Sequence, residues 1–358
     1  MNRIEAVQRK LAEKNIDAIL ALDEKNQKYA SGFPIQDGYV LVSRKGAYMV
    51  TDSRYIEAAH AALDSYMTVT QPEGGKSAPD LLNGIIEADG IKTLGFEESA
   101  VSYADYKRLA GELRSELVPA QCVFSELRAV KVEEEIVSMR KAQRISEKAL
   151  DTVLGIIRPG MTENDVCAEL TYYMLKYGSE GNSFDPIVVC GNKTSMPHGV
   201  PGDKVIREGD FLTMDFGSLV DGYCSDMTRT VAVGFATDEM KSVYDVVLRA
   251  QLAGIAAAKA GVKGKAVDGA ARKVIEDAGY GKYFGHGFGH SLGLNIHESP
   301  NANMREERCL PVNTVISAEP GIYLPGKFGV RIEDVIIIKE DGCENITEAP
   351  KQLIILNN

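Results

Sequence analysis

Two aspartates eleven residues apart, Asp215 and Asp226, stand in TMDFGSLVDGYCSDMTRT (213–230), which reads as two short strands around a polar turn. Counting inward from both, the pair is centred on Val220-Asp221. A hairpin turning there places the two carboxylates opposite each other, ~4.5–5.5 Å apart at Cβ. Two bare carboxylates that close repel, and a divalent metal is the positive group that would hold them. On these residues alone, a turn carrying solvated aspartates is the alternative.

Histidine is scarce, five in the chain, and four of the five lie in glycine- or proline-rich contexts: MPHG (His198), GHGFGHSLG (His286 and His290) and NIHESP (His297). Such breakers put side chains on loops, where binding and catalytic groups concentrate. His286 and His290 have the spacing of a HExxH zinc helix, but Gly287 replaces its glutamate. Gly285, Gly287 and Gly289 also argue against a helix there. Nor do these glycines form the GxGxxG of a dinucleotide site.

A second acidic pair follows. VISAEPGIYLPGKFGVRIEDVIIIK (315–339) reads as two apolar strands around Leu324-Pro325-Gly326-Lys327, with Glu319 and Glu333 symmetric about Gly326. A hairpin centred there opposes the two glutamates, and Arg331 lies on the same strand face as Glu333. Four carboxylates converging on one pocket carry four negative charges, and burying them unpaired is prohibitive. Two divalent cations balance that charge, and a bridging hydroxide and one neutral imidazole complete the coordination. Oxygen-rich ligation with a single histidine suits Mn²⁺, Co²⁺ or Zn²⁺ better than a thiolate site does. Two metals ~3.5–4 Å apart lower the pKa of a shared water and clamp an attacked carbonyl, which is equipment for hydrolysis.

These residues need a scaffold. Residues 1–20 read as a helix, from Ile4, Val7, Leu11 and Ile16. Two strand-like runs follow, Gly38–Gly46 and Gly46–Ser53, joined as a hairpin at Lys45-Gly46. A helix over Tyr55–Leu63, a strand over Ile91–Phe96 and a helix over Tyr103–Leu113 complete an α/β unit ending near Cys122. From Ser125 a long helical pattern runs to Arg158-Pro159-Gly160. The expected organisation is therefore an N-terminal α/β domain over 1–124 and a catalytic domain over 125–358, with 125–157 beginning as a linker helix. A faint repeat lies within the second: a shift of 101 residues lays 155–170 over 256–271, Gly160 on Gly261, Val166 on Val267 and Gly178 on Gly279. Two similar halves facing each other, with a site between them, would explain it.

The composition bounds the function. At 358 residues, 44% hydrophobic and 25% charged, the chain is an ordinary soluble globular protein with room for two domains. A formal net charge of −11 argues against nucleic-acid binding. No window holds the ~18 apolar residues of a membrane span, and the charged amphipathic start lacks a signal peptide's apolar region. A cytoplasmic location is the expectation. Six cysteines without a CxxC pair point to free buried thiols rather than disulfides or structural zinc.

The ordered set Asp215, Asp226, His290, Glu319 and Glu333, in the contexts MDFG, SDMTRT, GHGFGHSLG, AEPGIY and RIED, resembles the pita-bread metallopeptidases, in the branch of aminopeptidase P and prolidase. The resemblance covers essentially the whole chain. It implies an α/β (α+β) fold: a creatinase-like N-terminal α/β domain and a C-terminal pita-bread domain with pseudo-twofold halves. It implies two divalent metal ions, Mn²⁺ favoured over Co²⁺ or Zn²⁺. Asp215 and Glu333 would bridge them, or chelate them together with Asp226, while His290 and Glu319 would bind one metal, Glu319 also serving as acid/base. His198 and His297 match the outer histidines that hold substrate and stabilise charge on the attacked carbonyl. His286 matches the histidine lining the proline pocket, which Phe184 would help to wall, and Arg331 resembles the arginine that orients a metal-ligating aspartate. The implied substrates are peptides with proline at the second position, and the implied assembly is a homodimer.

Within the family, methionine aminopeptidases share the metal ligands but usually lack an N-terminal domain of this size, while creatinase-like hydrolases and non-catalytic scaffolds have lost metal ligands. Dipeptide-selective members commonly carry an arginine soon after HExP, to pair with the proline carboxylate. Here HESP is followed by Asn301, and the nearest arginine is Arg305. The expected activity is therefore Xaa-Pro aminopeptidase, with Xaa-Pro dipeptidase (prolidase) the alternative enzyme and a peptide-binding scaffold the non-enzymatic one.

Overall fold

The computed structural model describes residues 3–357, which form two compact units divided between Arg128 and Ala129. The division falls four residues beyond the expected one.

The first unit holds one six-stranded mixed sheet. Its strands are β1 (Ala18–Ala21), β2 (Gly38–Ser43), β3 (Ala47–Thr51), β4 (Thr68–Thr70), β5 (Thr93–Phe96) and β6 (Glu116–Pro119), in the order β4-β3-β2-β1-β5-β6. Helices α1 (Arg3–Lys14), α2 (Glu24–Ser31), α3 (Ile56–Leu63), α4 (Ala78–Asp89), α5 (Tyr103–Glu112) and α6 (Gln121–Ala129) connect and follow them. The helix expected over 1–20 is shorter, and its first two residues lie outside the described ones. Asn15 turns to φ 55° and the Ile16 amide bonds back to the Leu11 carbonyl, a left-handed helix stop. The apolar run behind it is then free to become β1, buried throughout and paired on both sides.

In the second unit the long helical pattern is broken at 130–132, so α6 ends at Ala129 and α7 spans Glu133–Leu154. The Glu135 carboxylate accepts the Val132 amide and starts the new helix. Helices α8 (Glu163–Lys176), α9 (Asp238–Ala257) and α10 (Gly264–Asp277) follow, and α8 shifted by 101 residues coincides with α10. Gly160 and Gly261, before these two helices, both take positive φ (98° and 77°), as do Gly178 and Gly279 after them (105° and 84°). Gly160 donates to Ile206 and Gly261 to Leu310 in matching bonds of 3.0 Å. The repeat is thus a repeat of backbone conformation, carried by glycines where other residues would be strained.

Each half pairs its helices with a sheet. The first sheet is made from β7 (Ile187–Cys190), β8 (Phe211–Phe216) and β11 (Met227–Val233), with the short ribbon β9 (Leu219–Val220) and β10 (Tyr223–Cys224) at the tip of the β8–β11 hairpin. The second contains β12 (Gly289–Ser291), β13 (Glu298–Ala302), β14 (Val315–Ala318), β17 (Asp334–Lys339) and β18 (Gly342–Asn345), with β15 (Gly321–Leu324) and β16 (Phe328–Arg331) as a separate ribbon. A final strand, β19 (Ile355–Leu356), joins β11. Apolar cores fill the space under α7–α8 and under α9–α10. All six cysteines are free; only Cys190 and Cys224 are buried, and Cys309 is exposed, so burial was expected too broadly. Among the described residues no helix is long and apolar enough to cross a membrane.

Candidate active site

The first acidic pair is not cross-strand. Asp215 faces Thr228 on the β8–β11 ladder, and Val220 faces Tyr223 on the ribbon above it. That register is two residues away from the expected one, because the turn is made by Asp221 and Gly222, with φ 52° and 74°. Successive positive φ values make the tight two-residue hairpin that matches strand twist, for which Asp-Gly is well suited. Asp226 consequently falls level with Gly217, in the gap between ladder and ribbon. A Cβ on Gly217 would meet the Ser225 carbonyl at 2.0 Å, so the chains approach there as only glycine permits. Both aspartates nevertheless reach one cavity, Asp215 at 9% and Asp226 at 3% exposure.

The second pair follows the expected register. Gly321 faces Arg331 and Leu324 faces Phe328 about Gly326, while Ala318 faces Asp334 on the β14–β17 ladder. Glu319 and Glu333 sit level with each other where the two ladders part.

Charge dominates what these residues can do. The ligand atoms of Asp226, His290 and Glu333 lie within 4.8 Å of one another. His290 Nε2 is 3.5 Å from Asp226 Oδ2 and 3.3 Å from Glu319 Oε1. Its Nδ1 is 3.1 Å from the Ser291 carbonyl, which can only accept, so the proton sits on Nδ1 and the Nε2 lone pair faces the carboxylates. Burial, then the neighbouring carboxylates, push Asp226 and Glu333 well above the ordinary carboxyl range, and burial raises Glu319 as well. Against four carboxylates stands one fixed cation, Arg331, which donates to Asp215 Oδ2 at 2.5 Å. The other Asp215 oxygen is buried without a donor. An orphaned carboxylate oxygen, a lone pair from imidazole and surplus negative charge fit hard divalent cations, which take oxygen ligands with an occasional imidazole.

The remaining expected residues line the same cavity of about 480 Å³. His198 and His297 are exposed on its wall, the ring of His297 standing 4.4 Å from that of His290. His286 is set deeper, and burial lowers its basicity. Its Nδ1 donates to the Gly287 carbonyl at 2.8 Å, and its Nε2 accepts from the Tyr323 hydroxyl at 2.9 Å. Phe184 lines the cavity with Ile187, Pro197 and Ile296.

Several contributors escaped the sequence. Thr228 donates to Glu333 at 2.6 Å while accepting from Arg331 Nε at 3.0 Å. Ser317 donates to Glu319 at 3.0 Å and accepts the His290 amide. Tyr323 accepts from Arg331 Nη1 at 3.0 Å and so joins Arg331 to His286. The strand period of two contained a signal for Tyr323, since it places residues 319, 321 and 323 on one face.

Comparison with known proteins gives the family. Residues 137–340 match the metallopeptidase family M24, and residues 3–130 match the creatinase/prolidase N-terminal domain. The chain is 41% identical to a solved Xaa-Pro dipeptidase from Bacillus anthracis, with a TM-score of 0.95 over 99% of each chain. It is 38% identical to an X-Pro aminopeptidase from Thermotoga maritima, with a TM-score of 0.91 over 97% of this chain and 99% of that one. An Xaa-Pro dipeptidase of Pyrococcus horikoshii is 36% identical over 342 residues, 95% of each chain. With a fold built from two like halves and an acidic cavity between its β-ribbons, the chain belongs to the metallopeptidase family M24 and carries a creatinase/prolidase-type N-terminal domain.

Proposed function

We propose that this protein hydrolyses the peptide bond between an N-terminal residue and a following proline, with two divalent cations held by Asp215, Asp226, His290, Glu319 and Glu333. The observation that carries the reading is the convergence of these side chains, with one buried Asp215 oxygen left for a partner the protein does not supply. Bound there, the cations supply the activation of water and polarisation of the carbonyl that hydrolysis of a tertiary amide requires. Glu319, held by Ser317 and raised in pKa by burial, is suited to take up a proton from the attacking water and pass it on. Arg331 fixes Asp215 through a hydrogen bond. His198 and His297, exposed on the wall, can hold the substrate carbonyl, and His286 with Phe184 can receive the proline ring.

The substrate is taken to continue past proline. Arg331 is the only lysine or arginine lining the cavity among the described residues, and its guanidinium is tied to Asp215, Thr228 and Tyr323. Asn301 and Asn303 occupy the wall after HESP, leaving no free cation there for a C-terminal carboxylate. The dipeptidase reading draws on a different observation, the Xaa-Pro dipeptidase at 41% identity over nearly the whole chain. A panel of Xaa-Pro dipeptides and Xaa-Pro-Xaa tripeptides, assayed with Mn²⁺, Co²⁺ and Zn²⁺ in turn, separates them. Faster cleavage of tripeptides supports the aminopeptidase, hydrolysis confined to dipeptides supports the dipeptidase, and cleavage of neither contradicts both.

A further inference from the structure

Between Phe284 and His290 alternate residues are glycine: Gly285, Gly287 and Gly289. A segment of this kind has little conformational preference of its own, yet it brings His286 and His290 to the cavity wall. Its shape is imposed from α10. Asp268, fully buried, accepts from Arg272 Nε at 2.8 Å and Nη2 at 3.0 Å, and from the Phe288 amide at 2.9 Å. Arg272, 9% exposed, donates to the carbonyls of Phe284 at 3.0 Å and His286 at 2.7 Å. Its guanidinium lies 4.2 Å from the centre of the Phe284 ring, and that ring meets His286 edge-on at 5.1 Å. The Phe288 carbonyl accepts the Glu319 amide at 2.7 Å.

One ion pair therefore holds three backbone groups of the loop, two residues apart, and leads through Phe288 to the backbone of Glu319. Neither Asp268 nor Arg272 lines the cavity. We propose that the Asp268–Arg272 pair is the positioning element that sets the preference for proline, by holding His286 and its loop at the distance a pyrrolidine ring requires. The proposal rests on the assignment of His286 to the proline pocket made above. Arg272 is suited to the task because a planar guanidinium can bridge Asp268 and two carbonyls at once, which a lysine ammonium on a flexible stem does poorly.

The test uses metal-loaded protein and two tripeptides that differ only in proline or alanine at the second position. Arg272→Lys should lower the proline-to-alanine ratio of kcat/KM by about tenfold, since small misplacements of a positioning group are costly. Metal content should stay at the wild-type value. In a double-mutant cycle, Arg272→Lys on a His286→Ala background should produce no further loss of the ratio. Asp268→Asn, which keeps an acceptor for the Phe288 amide, should show the same loss and stands in if Arg272→Lys does not fold. An unchanged ratio in a folded, metal-replete variant overturns the proposal, and so does full additivity with His286→Ala. A wild-type protein without any preference for proline would instead overturn the functional reading beneath it.

Discussion

Replacing Asp226 by Asn should make the protein more stable without divalent cations and less stable with them. The carboxylate oxygens of Asp226 and Glu333 offered to a cation lie within 4.8 Å of each other, both buried. Two unit charges 4.8 Å apart repel by about 3.5 kcal/mol at an effective dielectric constant near 20. An amide at 226 removes that repulsion, so the cation-free protein should gain on the order of 3 kcal/mol, roughly 6–12 °C in melting temperature for a unit of this size. The sign with pH follows from the proton balance. Burial and the surrounding carboxylates raise Asp226 above its unfolded value, so the cation-free folded state holds an extra proton between the two. Wild-type stability should therefore fall as pH rises from the ordinary aspartate value of about 3.9, and Asp226→Asn should flatten that slope. Saturating cation should stabilise the wild type by about 3 kcal/mol at a hundredfold excess over Kd, and the variant far less. Thermal unfolding with chelator and with Mn²⁺ reads both limbs. A variant no more stable than wild type in chelator, or one stabilised by Mn²⁺ as fully as wild type, would refute the reasoning.

Three other outcomes follow from the same geometry. Asn301→Arg should raise hydrolysis of Xaa-Pro dipeptides relative to tripeptides by about tenfold, because a wall cation pairs with the free carboxylate; an unchanged ratio in steady-state assays counts against the substrate-length argument. Tyr323→Phe removes the hydroxyl joining Arg331 to His286 and should cost about 1–2 kcal/mol of stability. Its kcat/KM should fall while two metals per chain are retained, as calorimetry and elemental analysis can establish. His297→Ala should lower kcat with metal content unchanged, and loss of the metals would show that this histidine is a ligand instead.

What the sequence revealed of the site was what short-range rules control. The hairpin about Gly326 could be registered by symmetry because the turn sits at the centre of the pairing, and the β14–β17 ladder keeps the register of the β15–β16 ribbon across the gap between them. The hairpin about residues 220–222 was misregistered for an equally local reason. The positive φ of Asp221 and Gly222 moves the turn along the chain, so a count from the two aspartates alone points to the wrong pairing. The long helix was overdrawn because its periodicity runs through Val130–Val132, where Glu135 caps a new start. Residues that act through tertiary contact left no spacing to read. Thr228 meets Glu333, Ser317 meets Glu319, and Arg272 reaches two carbonyls of a loop beyond its own helix.

The central claim is that paired cations sit among the side chains of two β-ribbons. Anomalous diffraction from a crystal equilibrated with Mn²⁺ tests it most directly. Two peaks should appear, bonded between them to Asp215, Asp226, His290, Glu319 and Glu333. A cavity without peaks at full Mn²⁺ loading, or manganese bound elsewhere on the chain, would contradict the account.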